Sequence, residues 1–212
     1  MRRARNRNVQ LVAGRERYLV LMLLCIDMQP TYSKACVCML SRAVQYQNRF
    51  LSDRVEMIFD NMNDTREEFL DWCAEAGFAK APARSKQFGW LRNWMDCGVS
   101  DDVIVAGLRY MTKKGATSSE GFCESDFREI ILDSHGDFED WKENYRAEWD
   151  SMRADLLFAP QVERFDELLA KCRAADSVEL IGGGRNECLE EIRLTLAAFD
   201  IHATVHEGLV YW

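Results

Sequence analysis

The stretch Tyr18-Leu19-Val20-Leu21-Met22-Leu23-Leu24-Cys25-Ile26 is almost unbroken apolar sequence, and it stops at Asp27. A strand with one wet face alternates polar and apolar residues. A run without alternation is covered on both faces, the condition of a strand inside a parallel sheet flanked by helices. A second short, mostly apolar run, Val178-Glu179-Leu180-Ile181, breaks into Gly182-Gly183-Gly184, after which Leu189, Ile192, Leu196 and Phe199 recur at helical spacing. Strand and helix signals thus alternate at both ends of the chain, which predicts a three-layer αβα sandwich with a mainly parallel sheet.

The first run is too short to span a bilayer. Arg2, Arg3, Arg5, Arg7, Arg15 and Arg17 precede it, with only Glu16 opposing them, and imitate the basic start of a signal peptide. No small-residue cleavage site follows the run, so it reads as core strand behind a basic, flexible arm of residues 1–17. Met22 as an alternative start would truncate that strand. Residues 18–212 suit a single domain.

Residues 33–50 predict a helix with Ala35, Met39, Ala43 and Tyr46 on one face, and residues 55–59 predict a second strand. After the turn Asp60-Asn61-Met62-Asn63, two overlapping capping boxes, Asp64 with Glu67 and Thr65 with Glu68, announce a helix over 66–76 that stops at Gly77. From residue 79 the text is irregular and aromatic. Phe88, Leu91 and Met95 suggest a short helix. Ser100-Asp101-Asp102 caps either a helix running to Met111 and ending at Gly115, or a turn before a strand Val103-Ile104-Val105; both readings stand. The acidic, aromatic segment 133–155 reads as a helical insertion forming a lid, a pocket wall or a subunit contact, within an insertion-like block of about residues 79–155. Phe165, Leu168, Leu169 and Cys172 define a helix leading into the Val178 strand.

Cys188 opens a helix just beyond a strand, where unpaired backbone N–H groups and the positive dipole end favour a thiolate, although Glu187 and Glu190 pull the other way. Asp27 also follows a strand, and α/β sheets carry their sites at the carboxyl ends of strands. A carboxylate within reach can take the thiol proton, and N–H donors can stabilise a tetrahedral oxyanion. Ile26-Asp27-Met28-Gln29, together with Gly182 and the Asn186-Glu187-Cys188 triplet at a helix start, resembles the isochorismatase-like cysteine hydrolase superfamily in motif, order and end position.

The resemblance implies a metal-independent hydrolase of an amide or related acyl bond of a small molecule, working through a thioester and forming homo-oligomers. It makes Cys188 the nucleophile, Asp27 its acid/base, and the backbone N–H groups of Gly184 and Cys188 the oxyanion hole. Gly183 and Gly184 would tolerate the strained peptide the family places ahead of its cysteine. Gln29, Asn61, Arg185 and Asn186 are the candidate substrate-binding residues. Asp60, Asn61 and Asp64 could line a pocket beside Asp27, or simply start the next helix. The family completes its triad with a lysine, yet residues 151–160 offer Arg153 and no lysine. Lys113 and Lys114, after the apolar stretch 103–111, are the substitutes if the acidic segment is an insertion. The missing lysine also supports an alternative: the same fold without hydrolysis, kept as a ligand-binding or assembly module.

The Asp-x-His arrangement of the metal-binding nicotinamidase branch is not found, so neither metal nor cofactor is expected. Cys36-Val37-Cys38 on a helix points its thiols apart, and His202 and His206 on a strand lie about 13 Å from each other, too far to share an ion. Gly182-Gly183-Gly184-Arg185 before a helix could cradle an anionic group of the substrate with Arg185 as partner, but it matches neither dinucleotide nor Walker spacing. Asn186 is equally suited to cap the helix. The net charge of −8 is spread along the chain and disfavours nucleic-acid and anionic-membrane partners. The 8 cysteines lie in apolar or helical stretches without disulfide-scaffold spacing, which fits a reducing, cytoplasmic compartment.

Overall fold

A computed structural model describes the backbone of residues 9–12, 15–18, 20–87 and 91–212, and side chains from residue 20 onward except Arg92. The chain divides into two compact units, one of residues Met1–Gln87, Val162–Glu190 and Ile201–Trp212, the other of Phe88–Gln161 and Glu191–Asp200.

The first unit begins with β1 (Val9–Val12) and β2 (Arg15–Tyr18), paired antiparallel with Val12 opposite Arg15. Part of the basic arm is therefore a ribbon rather than a flexible tail. A six-stranded sheet follows, built from β3 (Leu21–Ile26), β4 (Val55–Asp60), β5 (Ala83–Gln87), β6 (Gln161–Val162), β7 (Ser177–Gly182) and β8 (Ala203–Val210) in the order β6-β5-β4-β3-β7-β8. The pairs β3/β4, β4/β5, β3/β7 and β7/β8 are parallel. Successive side chains point to opposite faces, and Met22 through Ile26 are all buried, as an apolar run without alternation requires.

On one face Leu23, Cys25, Val55, Met57, Phe59 and Ile181 pack against α1 (Ser33–Gln47) and α2 (Arg66–Ala76). The buried stripe of α1 is Cys36, Met39, Ala43 and Gln47, turned by about one residue from the expected one, because Gln47 is drawn in by its bonds to the Ala79 backbone. α2 starts on the Thr65–Glu68 capping box and ends at Gly77 in the left-handed conformation, φ 88°. Asp64 takes no part in a cap and bonds Gln29 instead. α8 (Phe165–Arg173) precedes β7, and its Lys171 joins Arg84 in pairing with the buried Glu56 of β4. The chain thus forms an α/β unit with a mainly parallel sheet, consistent with three layers.

The second unit is helical: α3 (Leu91–Asp96), α4 (Asp101–Lys114), α5 (Glu124–His135), α6 (Phe138–Asn144), α7 (Arg146–Ala154) and the later residues of α9 (Cys188–Ala198). The open choice at 103–105 falls to helix. Acidic residues in the first turn, lysines in the last and Gly115 at φ 66° complement the dipole and end of α4. Trp94, Phe127, Phe138, Trp141 and Trp149 fill the core, with the Phe138 and Trp149 rings edge to face at 5.3 Å. A Cβ on Gly107 would stand 2.9 Å from Leu157 and 3.1 Å from Trp94, so glycine is what fits under these side chains. Phe88 and Trp90 lie outside the described residues. Among the described residues no helix is long and apolar enough to cross a membrane.

Candidate functional site

β3 is followed in sequence by β4 on one side, while its other neighbour is β7. This is the point where the strand order reverses, and the crevice outside the carboxyl ends of such strands is where open α/β sheets bind ligands. Asp27 leaves β3 there, and the turn carrying Cys188 leaves β7 beside it, with Ile26 opposite Gly182 in register.

Asp27 is completely buried and sits at φ 46°, a left-handed conformation uncommon outside glycine and the kind of local strain found at functional sites. Its backbone N–H donates to Ile58 O at 2.8 Å. Its Oδ2 accepts from Lys86 Nζ at 2.5 Å, in an ion pair whose two side chains are wholly shielded from solvent. Its Oδ1 accepts no hydrogen bond from any described residue. Burying two charges is costly even when they pair, so such a pair at the end of a sheet is a candidate for function rather than stability.

Lys86 is the candidate site residue that sequence reasoning missed. It comes from β5, whose Ala-Arg-Ser-Lys-Gln sequence looks like loop because polar residues stand where a central strand is apolar. Arg84 and Lys86 are two apart and so share a face, and both are buried because each meets a carboxylate, Glu56 and Asp27 respectively. A lysine two residues from an arginine in a polar segment beside a predicted strand was the signal available. Lys113 and Lys114, expected to supply this cation, stand at the exposed end of α4 in the second unit, where they pair with Glu129 and Asp126. The lysine was sought in the wrong place because the helical block follows β5 and separates it from the cysteine.

The Cys188 turn is fixed by glycine. Gly182 is at φ 103°, and a Cβ there would overlap Ile26 O at 2.2 Å; one on Gly183 would meet Asp27 Cβ at 3.0 Å. The turn therefore lies against the Ile26 backbone and the Asp27 Cβ more closely than a residue with a Cβ would allow. The N–H groups of Gly183, Arg185, Glu187 and Leu189 are engaged by the carbonyls of Ile26, Tyr211, Gly184 and Gly184. Cys188 is the first residue of α9 and only 4% exposed.

Two tyrosines complete the neighbourhood. Burial, followed by the charges of Asp60, Cys188 and Asp27, pushes the Tyr32 phenol well above its ordinary range, with Lys86 opposing. Tyr211 is raised by burial and then by Asp27 and Cys188. Both phenols thus feel the aspartate and the thiol, and both stay protonated at neutral pH. Tyr32 is partly exposed and donates to Asp60 Oδ2 at 3.4 Å.

The expected substrate-binding residues fare unevenly. Gln29 is fully buried, donating to Asp64 and to Asp60 O while accepting from the Asp60 N–H, so it ties the Asp27 turn to the end of β4 rather than facing a ligand. The Asn61 backbone donates to Lys86 O and its side chain is exposed. Arg185 is held by Glu190 and Glu207, which neutralise the charge meant for an anionic substrate. Asn186 is exposed in the turn two residues ahead of α9. Cys36 is buried and Cys38 exposed on α1, and His206 lies on β8 with its ring 5.0 Å from that of Tyr46. No group of three or more His, Cys, Asp or Glu among the described residues is placed to hold a metal ion. No family model, curated protein or solved structure matches this chain.

Proposed function

We propose that this protein is a metal-independent cysteine hydrolase that cleaves an amide or related acyl bond of a small molecule, in the manner of the isochorismatase-like hydrolases its motifs resemble. The observation that carries the reading is the buried Asp27–Lys86 pair at the sheet's switch point, beside a cysteine at the start of a helix. Asp27 takes the Cys188 proton, and the sulfur attacks the substrate carbonyl. The oxyanion is held by the backbone N–H groups of Gly184 and Cys188. Collapse of the tetrahedral species expels the amine, which takes its proton from Asp27, and leaves a thioester. Water, deprotonated by the same carboxylate, attacks the thioester and releases the acid and the thiol. Lys86 pairs with Asp27 and orients it. The binding-only alternative drew its support from a missing lysine, and Lys86 supplies one.

The test is alkylation of the native protein by iodoacetamide across pH, with each labelled cysteine identified by mass. Burial holds the Cys25 thiol up and raises Cys73 to about 12 and Cys172 to about 11, so these stay silent at neutral pH. Cys188 is expected to label selectively well below the free-thiol value of about 8.5, and to lose that selectivity in Asp27→Asn. Labelling of Cys188 no faster than that of exposed Cys38 would remove the hydrolase reading. Homo-oligomerisation and a cytoplasmic location belong to the same proposal, and a sedimentation mass equal to one 24.6 kDa chain would count against the former.

A further inference from the structure

Nucleophile and base reside on two turns, after β3 and after β7, whose sequence positions lie far apart. One residue bonds both. The Tyr211 backbone N–H donates to Gly182 O at 3.2 Å, and its carbonyl accepts from Arg185 N–H at 2.9 Å, so its main chain brackets the glycines that lead to Cys188. Its hydroxyl crosses to the other turn and donates to Asp27 O at 2.8 Å. The ring is buried, and its oxygen stands 3.1 Å from where a Cβ on Gly183 would be, so glycine at 183 leaves room for the phenol. The carbonyl it reaches belongs to the residue held at φ 46°, whose orientation decides where the carboxylate points.

We propose that Tyr211 is the positioning residue of the site: its backbone grips the Cys188 turn, its hydroxyl grips the Asp27 turn, and together they set the reach of the base to the thiol. The proposal rests on the hydrolase reading. Because burial and the nearby Asp27 and Cys188 keep the phenol protonated, it is a donor throughout the working pH range. Its hydroxyl acts through the Asp27 carbonyl.

The experiment compares the pH profile of Cys188 alkylation in the full chain for wild type, Tyr211→Phe and Tyr46→Phe. Tyr46 is the control, a partly buried phenol that donates to Glu179 at 2.6 Å. Tyr211→Phe is expected to slow labelling at pH 7 between about ten- and a hundredfold, the effect of a small misplacement of reacting groups, and to move the midpoint towards that of a free thiol. Tyr46→Phe is expected to keep the wild-type profile. Coincident profiles for Tyr211→Phe and wild type would overturn the inference, as would an equal shift in Tyr46→Phe, which would mean general loosening. If Tyr211→Phe does not fold, amide exchange in the wild type decides. The Arg185 and Tyr211 amides should exchange as slowly as those of β7, and exchange as fast as exposed turns would defeat the clamp. Unselective Cys188 labelling in the wild type would defeat the hydrolase reading itself, whereas selective labelling indifferent to Tyr211→Phe defeats only the positioning role.

Discussion

Asp27 depends on Lys86, since without it the buried carboxylate would lose its ion-pair partner. Replacing Lys86 by Met should therefore cost on the order of 3–5 kcal/mol in urea unfolding, as breaking buried pairs does, and should abolish the selectivity of Cys188. Lys113→Ala and Lys114→Ala remove cations that are half or more exposed. Their unfolding midpoints and labelling profiles should match wild type. If Lys86→Met were as stable as wild type, the Asp27–Lys86 pair would contribute nothing to the fold.

At the scale of elements, the strands that meet at the site were legible where they are apolar. The runs ending in Asp27 and in Gly182 announced β3 and β7, and Thr65, Glu68 and Gly77 announced α2, because capping chemistry is local. β5 escaped because its burial is earned by partners on other strands, Glu56 and Asp27, which no window of neighbouring residues contains. The bonds of Gln29 to Asp60 and of Arg185 to Glu207 were hidden for the same reason, since those partners come from β4 and β8. The glycines of the Cys188 turn were read as tolerant backbone, and the close approach of Gly182 to Ile26 gives that tolerance a cause. Gly77→Ala meets only Val44, at 3.7 Å, so its cost should be the left-handed strain of roughly 1–2 kcal/mol. Gly182→Ala adds an overlap with backbone and should cost clearly more in the same denaturant titration. Equal costs would mean that the Cys188 turn can move away from β3.

For the whole molecule, the buried thiols tie stability to alkali. Burial raises Cys73 to about 12 and Cys172 to about 11, so both remain protonated in the folded chain when their unfolded counterparts ionise near about 8.5. Their stabilising contribution is complete below that value and is lost as pH rises towards 11 and 12, because the unfolded state sheds protons the folded state keeps. The urea midpoint should fall over this interval, and less steeply in Cys172→Ala. A midpoint flat from pH 8 to 11 would show that these thiols are open to water.

The order of residues along the sheet also bears on synthesis. Asp27 and Lys86 are 59 positions apart, and both are made before the helical block. The other edge of β3 must wait for Ser177–Gly182, and the sulfur arrives only with the helix that follows. While the ribosome adds the helical block between them, the central strand keeps one side unpaired, and such long-range closure is slow. A nascent chain thus carries Asp27 and Lys86 well before Cys188.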